Sequence, residues 1–262
     1  MDDIMIRCSS IYKIMGDSSR GKGLTDKQKE KLNYYEQRIK NKTRPLTEKQ
    51  TAEYNDFIIR KNWRPEYDLT DGAKSYVASQ VKRMFYGFKS QNVQTPKTLK
   101  GQLNEEVNIE LYNDVRFTDF KKNTVRLADK GITGEWDAAD KTTTLDIKSA
   151  WTWDTFCALE SELKEHCEKS GYFMQGRGYM FLNNTEVFEV AHCMSTTPTH
   201  LIDMFEEDIS RHIVSEDIPL EKRITIVSIE RDFDKEKEIL YKVNEAKRYA
   251  KWYFKQLIDK TY

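Results

Sequence analysis

Residues 134–148 have the sequence GEWDAADKTTTLDIK, in which two short segments of strand length flank a polar turn. The segments at 135–138 and 143–148 alternate or run apolar, as paired strands do, and the residues between them are typical turn formers. This pattern predicts a β-hairpin. Because a tight hairpin folds its strands side by side, it would bring the carboxylate of Asp137 next to that of Asp146.

An acidic residue two positions before a lysine occurs four times in the chain, and the predicted local structure distinguishes the four. Three of them lie in a polar loop or on predicted helices, at 119–121, 162–164 and 245–247. On a helix, side chains at i and i+2 diverge by about 200°, whereas on a strand they point to the same side. Asp146 and Lys148 lie on a predicted strand, so they share one face while Ile147 faces the core.

Asp137, Asp146 and Lys148 together have the composition of a metal-dependent phosphodiesterase centre. Two adjacent carboxylates repel each other, and a hard cation such as Mg²⁺ relieves that repulsion through oxygen ligands. The cation polarises a scissile phosphate and lowers the pKa of a bound water, while a nearby lysine orients the water and steadies the developing charge. The alternative interpretation is an ordinary hairpin with a surface ion pair, which is worth at most about 1 kcal/mol.

A second motif supplies polar groups that fit such a centre. Gln175 and Tyr179 lie four residues apart on a predicted helix at 171–183, where i and i+4 share one face. They can point together at a phosphate or a metal-bound water. Two glycines, Gly176 and Gly178, lie between them, and each costs about 1 kcal/mol relative to alanine inside a helix. Their presence indicates close approach of another strand or backbone.

A third carboxylate is available upstream. A helix is predicted at 100–113, and its first turns carry Glu105 and Glu106 after Gly101. The helical phase does not decide which of the two acids points inward.

The order of the predicted elements indicates an α/β fold of the α+β type. After the hairpin, helices are predicted at 153–168, 171–183, 199–213 and 234–259, and strands at 186–194 and 223–230. The resulting order, helix–β–β–helix–β–helix, predicts a central mixed β-sheet flanked by helices on both faces.

The first 98 residues differ from the rest and predict an N-terminal helical region. The segments LTDKQ (24–28) and LTEKQ (46–50) each combine a Thr N-cap with a Gln three residues later, which is a capping box. Helices are therefore predicted at 26–40, 48–61 and 71–85. Dense Lys and Arg in this region indicate either a solvated helical face or a surface that contacts DNA backbone. We expect residues 1–98 to pack partly on a core formed by residues 99–262, which end in a C-terminal helix.

Bulk composition restricts the class of protein. The 43 Lys and Arg balance the 43 Asp and Glu, but a local basic groove and an acidic metal site would cancel in that sum. No apolar run approaches the roughly 18 residues that span a bilayer, so no membrane partner is expected. Residues 1–10 lack the pattern of a secretory signal, and the four cysteines form no CxxC pair. The expected location is a cytoplasm that keeps these thiols reduced.

The motifs G-x-x-x-E, G-x-x-D, D-I-K and Q-x-x-x-Y, in that order, resemble those of the PD-(D/E)XK nucleases. Within that superfamily they are similar to phage lambda exonuclease, the YqaJ-like viral recombinases and the RecB-type nuclease domain. The blocks LDIKSAWTWDTF, GYFMQGRGYMFLNN, VAHCMSTTPTHLI and RITIVSIERD also look like those of phage YqaJ-like nucleases, and residues 7–16 look like their opening segment. The resemblance is weakest at 20–95. It implies a restriction-endonuclease-like core.

The resemblance also implies particular site residues. The implied ligands of Mg²⁺ or Mn²⁺, with two ions per site, are Glu105, Asp137, Asp146 and the carbonyl of Ile147. The implied catalytic residues are Asp137, Asp146, Lys148, Gln175 and Tyr179. The implied substrate-binding residues are Ser9, Ser10 and Gln175, with the serines holding a terminal 5′-phosphate.

The activity implied by the resemblance is a phage recombination-type 5′→3′ exonuclease that acts on double-stranded DNA ends. Such enzymes often thread DNA through a ring of identical subunits and hand the single strand to an annealing protein. Nothing in the spacing decides polarity. An endonuclease of the same fold and a catalytically silent DNA-binding module are the alternatives, and the intact set of Asp137, Asp146, Lys148 and Gln175 argues against the silent module.

Several other residues allow more than one interpretation. Trp136, Trp151 and Trp153 could stack on bases or fill the core. His192 lies on a predicted strand beside Cys193, and since adjacent strand residues face opposite sides, we expect core packing and no metal pair. The basic, aromatic-rich terminal helix is expected to pack as an amphipathic helix, with a nucleic-acid arm as the alternative.

Overall fold

The computed structural model describes residues 4–18, 24–42, 44–62, 65–89 and 94–260, in which runs of helices and runs of strands follow one another along the chain. The helices are α1 (Asp26–Asn41), α2 (Glu48–Asn62), α3 (Asp71–Tyr86), α4 (Pro96–Leu103), α5 (Glu105–Arg116), α6 (Glu160–Ser170), α7 (Tyr172–Asn183) and α8 (Phe233–Ile258). The strands are β1 (Ile6–Arg7), β2 (Leu127–Asp129), β3 (Ile132–Gly134), β4 (Ala138–Ala139), β5 (Thr143–Ser149), β6 (Val187–Cys193) and β7 (Ile224–Glu230).

A four-stranded mixed sheet with the order β4-β5-β6-β7 carries the predicted hairpin. Strand β4 pairs antiparallel with β5, β5 pairs parallel with β6, and β6 pairs antiparallel with β7. A connection through α6 and α7 makes the parallel pairing of β5 and β6 possible, because parallel strands need a crossover. The predicted mixed sheet is confirmed.

Helices cover both faces of this sheet. On one face, Ile109 and Tyr112 of α5 pack with Leu145 and Ile147 of β5. On the opposite face, α7 packs against β5 and β6 and α6 packs against β7, with residues such as Met180 in the larger core. Because side chains alternate along a strand, Ile147 lies on the α5 face while its neighbours in sequence point to the α7 face. The predicted α/β class with flanking helices is confirmed.

A second, three-stranded sheet joins the start of the chain to this core. Strand β1 runs parallel to β3, and β3 pairs antiparallel with β2. The 3-10 helix Cys8–Lys13 follows β1 and contacts α7. At Gly178 of α7, an added Cβ would lie 2.5 Å from the Ile11 side chain. The glycine therefore allows the opening segment to lie directly on α7.

The predicted strand at 135–138 is wrong. Strand β3 ends at Gly134, and β4 begins at Ala138. The residues between them are held by Asn123, whose backbone N–H donates to the carbonyl of Asp137 at 2.7 Å and whose side chain donates to that of Trp136 at 3.0 Å. A single loop residue thus satisfies both carbonyls, one through its backbone N–H and the other through its side chain.

Two predicted helices are also wrong in extent. The helix at 199–213 is replaced by short 3-10 turns at Thr199–Leu201 and Ile209–His212. Asp203 and Asp208 each accept a hydrogen bond from a backbone N–H two residues later, at 2.9 and 3.0 Å, and such turns compete with a helix. The helix at 153–168 begins seven residues late, at Glu160.

The helix predicted at 100–113 is divided into α4 and α5 at Asn104. The Asn104 side chain donates to Ser195 Oγ at 2.8 Å and to the carbonyl of Thr196 at 2.9 Å. These distant contacts fix the break, so local sequence could not predict it. Within the described residues, no helix has both the length and the apolar character to cross a membrane.

Helices α1 and α2 form a hairpin with a core of its own. Leu32, Tyr35 and Phe57 are buried together there, and Leu24 and Leu46, which precede the two capping boxes, pack against them. In both boxes the Thr hydroxyl accepts from the Gln N–H and the Gln side chain accepts from the Thr N–H. The predicted helices at 26–40, 48–61 and 71–85 are confirmed to within a residue or two.

Candidate active site

The hairpin formed by β4 and β5 brings Asp137 next to Asp146. Ala138 lies opposite Leu145 in the ladder, so the preceding Asp137 falls beside Asp146. Asp137 Oδ2 accepts a hydrogen bond of 2.6 Å from the backbone N–H of Ile147. Asp146 is 2% exposed. The juxtaposition predicted from sequence is therefore present, although the first strand is shorter than predicted.

Burial and the neighbouring charge of Asp146 make ionisation of Asp137 unfavourable. Burial raises the pKa of Asp137 to about 7, and the negative charge of Asp146 adds to that rise. The charge of Lys148 and the hydrogen bond from Ile147 oppose the shift but do not cancel it. Below about pH 7 the Asp137 carboxyl therefore holds a proton unless additional positive charge lies beside it.

Lys148 lies on the same strand face as Asp146, with its Nζ 2.5 Å from Asp146 Oδ2. Burial lowers the pKa of this lysine, but the charges of Asp146 and Asp137 outweigh burial, and the net shift is upward. The ammonium also lies 4.8 Å from the centre of the Tyr172 ring, where the negative face of the aromatic system favours a cation. Lys148 is therefore a permanently charged group at this centre.

Helix α7 contributes Gln175 and Tyr179 from one face, as the motif predicted. Gln175 Nε2 donates to Asp146 Oδ1 at 3.1 Å and to the Tyr179 hydroxyl oxygen at 2.9 Å. Both side chains are buried. An added Cβ at Gly176 would lie 2.0 Å from the Phe188 ring of β6, so the glycine permits the close contact between α7 and the sheet.

Glu105 is the first residue of α5, and its side chain is 22% exposed while that of Glu106 is 75% exposed. The charge of Glu105 contributes to the raised pKa of Asp137. Lys122 Nζ lies 3.5 Å from Glu105 and 3.7 Å from Glu106. Of the two adjacent acids, Glu105 is the one turned toward the pair of aspartates.

The serines predicted to bind substrate lie in the 3-10 helix Cys8–Lys13. Ser9 is exposed and Ser10 is half-buried. Their neighbour Cys8 packs against both Gly134 and Gly178, which places this segment against α7 and the end of β3. The structure therefore puts the opening segment on the helix that carries Gln175.

The donors present fit a divalent cation in part. Asp137 and Asp146 supply hard oxygen ligands, and Asp146 Oδ2 is buried without a hydrogen bond, although Lys148 lies beside it. Among the described residues, no group of three or more His, Cys, Asp or Glu side chains is already arranged around one ion position. Lysine ammonium groups lie against Asp146 and Glu105 instead.

Sequence reasoning missed two groups at this site. Tyr172 lies three residues before Gln175, on the same helix face, and this spacing was a signal that could have identified it. Lys122 reaches Glu105 from a loop, and no local pattern indicates that contact. Asn108 of α5 was missed as well. It is fully buried, and its side chain donates to Ser149 Oγ at 2.6 Å, which ties α5 to the end of β5.

The contacts of the three tryptophans and of His192 decide between the interpretations that the sequence allowed. Trp136 is 5% exposed and packs edge-on against Tyr179, so it is a core residue. Trp151 and Trp153 are half-buried, and the indole N–H of Trp153 donates to the carbonyl of Ile213. His192 is buried, and its Nδ1 accepts from the backbone N–H of Cys157, as expected for a packed histidine. Burial lowers its pKa to about 4.

Comparison with solved structures identifies this architecture. A phage-related exonuclease from Haemophilus somnus 129PT has a TM-score of 0.71 and 27% sequence identity, covering 98% of this chain and 96% of that chain. The chain has an exonuclease fold. The predicted resemblance to phage exonucleases is confirmed. No protein-family model and no curated protein matches the sequence.

More distant structures share the exonuclease fold. An alkaline exonuclease from Laribacter hongkongensis has a TM-score of 0.55 and 11% identity, covering 97% of this chain and 91% of that chain. The same exonuclease in complex with dAMP has a TM-score of 0.51 with the same identity and coverage. At this identity the likeness shows the fold alone.

Proposed function

We propose that this protein is a divalent-metal-dependent deoxyribonuclease that hydrolyses DNA phosphodiester bonds from an end. The observation that carries the proposal is the convergence of Asp137, Asp146 and Lys148 at the β4–β5 hairpin, with Gln175 of α7 hydrogen-bonded to the second aspartate. The exonuclease fold, and the phage-related exonuclease that shares 27% of its residues, support the same assignment.

The site residues would have different roles in this reaction. Asp137, Asp146, Glu105 and the carbonyl of Ile147 would hold Mg²⁺ or Mn²⁺. When bound, such a cation supplies positive charge to the scissile phosphate and makes a nearby water more acidic. Lys148, kept charged by the two aspartates, stabilises negative charge that develops on the phosphate.

Helix α7 supports this arrangement. Gln175 fixes Asp146 through Oδ1, which leaves Oδ2 directed toward Lys148. The hydroxyl of Tyr179 accepts from Gln175, so its own proton remains available for donation. Gln175 therefore acts by holding Asp146 in position, and Tyr179 acts by holding Gln175.

We further propose 5′→3′ polarity on double-stranded ends, in a phage recombination role in a host cytoplasm. The sequence resemblance supports this part, together with Ser9 and Ser10 as a pocket for a 5′-phosphate, a ring of identical subunits and a single-strand annealing protein as partner. An endonuclease of the same fold and a silent DNA-binding module are the outcomes against which the proposal is tested.

The test uses linear and closed-circular duplex DNA, labelled at the 5′ or the 3′ end of each strand, with Mg²⁺, Mn²⁺ or EDTA. Loss of linear DNA with the circle spared, in either metal but not in EDTA, is the expected result, and the labels give the direction. Nicking of the circle would indicate an endonuclease. Tight binding without cleavage in either metal would indicate the silent module.

Two matched variants make the assignment specific to the site. We expect Asp146→Ala to lower the cleavage rate by at least about a thousandfold, since loss of several kcal/mol of electrostatic stabilisation has that effect, while DNA binding is retained. Asp119→Ala is the control, because Asp119 and Lys121 form the same acid–x–lysine triplet as an exposed ion pair. Equal activity of the two variants would contradict the proposed centre.

A further inference from the structure

The hairpin of α1 and α2 carries a concentrated positive charge at one end. We call this end the hairpin tip and define it as residues 38–42 and 44–50, at the C-terminus of α1 and the N-terminus of α2. It contains five cations, Arg38, Lys40, Lys42, Arg44 and Lys49, and one acid, Glu48. The chain as a whole is neutral, so the tip is a local excess of positive charge.

Most cations in the rest of the hairpin form ion pairs. Lys31 lies 2.7 Å from Glu53 of the other helix, and Lys61 lies 3.0 Å from Glu36. Lys29 pairs with Asp26 at 2.9 Å along the same helix. The first two pairs tie the two helices together, and in all three the acid neutralises the cation.

At the tip the pattern is the opposite. Within the described residues, the side chains of Lys40, Lys42, Arg44 and Lys49 form no ion pair with an acid. Their exposed ammonium and guanidinium groups therefore remain available to an external anion.

Helix capping does not account for all of these cations. Cations at the C-terminus of α1, such as Lys40, are favourable toward the negative end of the helix dipole. Arg44 and Lys49 lie in the connection and at the start of α2, where the dipole end is positive and a cation is unfavourable. Glu53, one turn further along α2, offsets part of the charge of Lys49, and the charge of Arg44 is left for a partner outside the hairpin.

The tip is also braced. The Arg38 guanidinium donates to the carbonyls of Arg44 and Pro45 at 3.0 and 2.9 Å, and it stacks on the Tyr34 ring at 5.5 Å. Gln50 accepts from Thr47 N–H and so fixes the start of α2. Cations on a braced turn lose less conformational freedom on binding than cations on a loose loop.

We propose that the hairpin tip binds the phosphate backbone of duplex DNA at a second contact, separate from the catalytic centre. Duplex DNA presents a dense row of negative charges that Lys and Arg neutralise without regard to sequence. The tip contains no Phe, Tyr or Trp, so it has no platform for stacking on unpaired bases. The inference rests on DNA being the substrate, as proposed above.

The test compares two triple variants of the full chain. Lys40→Gln, Lys42→Gln and Arg44→Gln together remove three tip cations. Lys121→Gln, Lys169→Gln and Lys237→Gln remove the same charge at surface positions that are already ion-paired. Binding of a fluorescent 30-base-pair duplex and of a single strand of equal length is measured in EDTA, where the DNA stays intact, across a series of salt concentrations.

We expect the tip variant to bind the duplex about tenfold more weakly at 0.1 M salt. The slope of log K against log salt should fall by up to about 2.7, which is 0.9 for each lost phosphate contact. The control variant should keep the parent slope. An unchanged slope in the tip variant, an equal loss in the control, or a loss confined to the single strand would overturn the inference.

Cleavage assays separate this inference from the proposed function. Hydrolysis of a small chromogenic phosphodiester, which is too short to reach a second contact, should be the same in the tip variant and the parent. A parent that cleaves DNA while its tip variant keeps the full salt slope refutes the tip contact alone. A parent that fails to cleave but loses salt slope in the tip variant refutes the nuclease assignment alone.

Discussion

The carboxyl group of Asp137 is difficult to ionise in this fold because it is buried beside Asp146. Its pKa of about 7 in the folded chain exceeds the ordinary value of 3.8. Between those values the folded chain binds a proton that the unfolded chain has lost, so folding stability falls as pH rises from about 4 to 7. A shift of this size corresponds to at most about 4 kcal/mol.

We therefore predict that Asp137→Asn stabilises the protein while abolishing cleavage. In EDTA at pH 8 the variant should unfold about 4–8 °C above the parent, as expected for about 2 kcal/mol in a chain of this size. The gain should vanish below about pH 4, where the parent carboxyl is protonated in both states. Thermal unfolding across pH checks this, and a gain that does not depend on pH would contradict it.

Gln175 offers a test of positioning at the same centre. Gln175→Leu removes the donor to Asp146 Oδ1 while nearly conserving volume. We expect kcat for DNA hydrolysis to fall about 10–100-fold, as for other residues that orient a metal ligand, with a smaller change in KM. Tyr179→Phe should cost less, because Tyr179 accepts from Gln175 and does not contact Asp146. Equal losses in the two variants would show that the pair acts in another way.

At the residue scale, sequence predicted the site wherever spacing along one element determines direction. Asp146 and Lys148 share a strand face, and Gln175 and Tyr179 share a helix face, as alternation and helical pitch require. The contact of Lys122 with Glu105 joins a loop to a helix, and no spacing rule reaches it.

At the scale of elements, the contact between α7 and β6 depends on Gly176 having no side chain. The Phe188 ring is fully buried and would lie 2.0 Å from a Cβ at position 176. We predict that Gly176→Ala lowers the free energy of unfolding by about 1–3 kcal/mol, the usual cost of overpacking, although alanine has the higher helix propensity. Urea denaturation measures this change.

Gly101→Ala is the matched control for that substitution. Gly101 lies inside α4, and no atom lies within 4 Å of the position where a Cβ would be added. This variant should gain about 0.5–1 kcal/mol from helix propensity alone. If Gly176→Ala raised the free energy of unfolding as much as Gly101→Ala does, Phe188 would have moved aside easily and the glycine at 176 would not be required for packing.

The sequence predicted a helix or strand best where neighbouring residues all favour the same element. The capping boxes at Thr25 and Thr47 sit at the starts of α1 and α2, and the apolar run of β7 forms a strand, because each rests on neighbouring residues. The segment 199–213 has helical composition, but Asp203 and Asp208 capture backbone N–H groups and divert it into turns. Competition between a side chain and the helix decided the outcome.

At the scale of the whole molecule, α8 holds the start of the chain against the core. Lys242 donates to the carbonyls of Gly16 and Asp68 at 3.3 and 2.9 Å, and Glu245 accepts from the backbone N–H of Asp68 at 2.8 Å. These contacts join residues more than 170 positions apart. The amphipathic pattern predicted that α8 packs, but composition cannot show which distant carbonyls its buried lysine reaches.

Lys242 thus joins α8 to distant residues near the start of the chain, and its loss should favour local unfolding of the N-terminal region first. Its Nζ lies 2.9 Å from Asp68, and the lysine is 6% exposed. Burial raises the pKa of Asp68, but hydrogen bonds from Lys242 and Ser18 outweigh burial and hold it below its ordinary value. The stabilisation from this pair is therefore present above about pH 4 and is lost as pH falls further.

We predict that Lys242→Met lowers the free energy of unfolding at pH 7 by about 2 kcal/mol, because it removes the cation beside a partly buried carboxylate and the donor to two carbonyls. Hydrogen exchange should accelerate first around residues 14–18 and 65–70, with the β5–β6 ladder still protected. Lys237→Met, which removes an exposed i,i+3 pair from the same helix, should leave stability unchanged within error. Uniform acceleration throughout the chain would mean that the N-terminal region and the sheet unfold as a single cooperative unit.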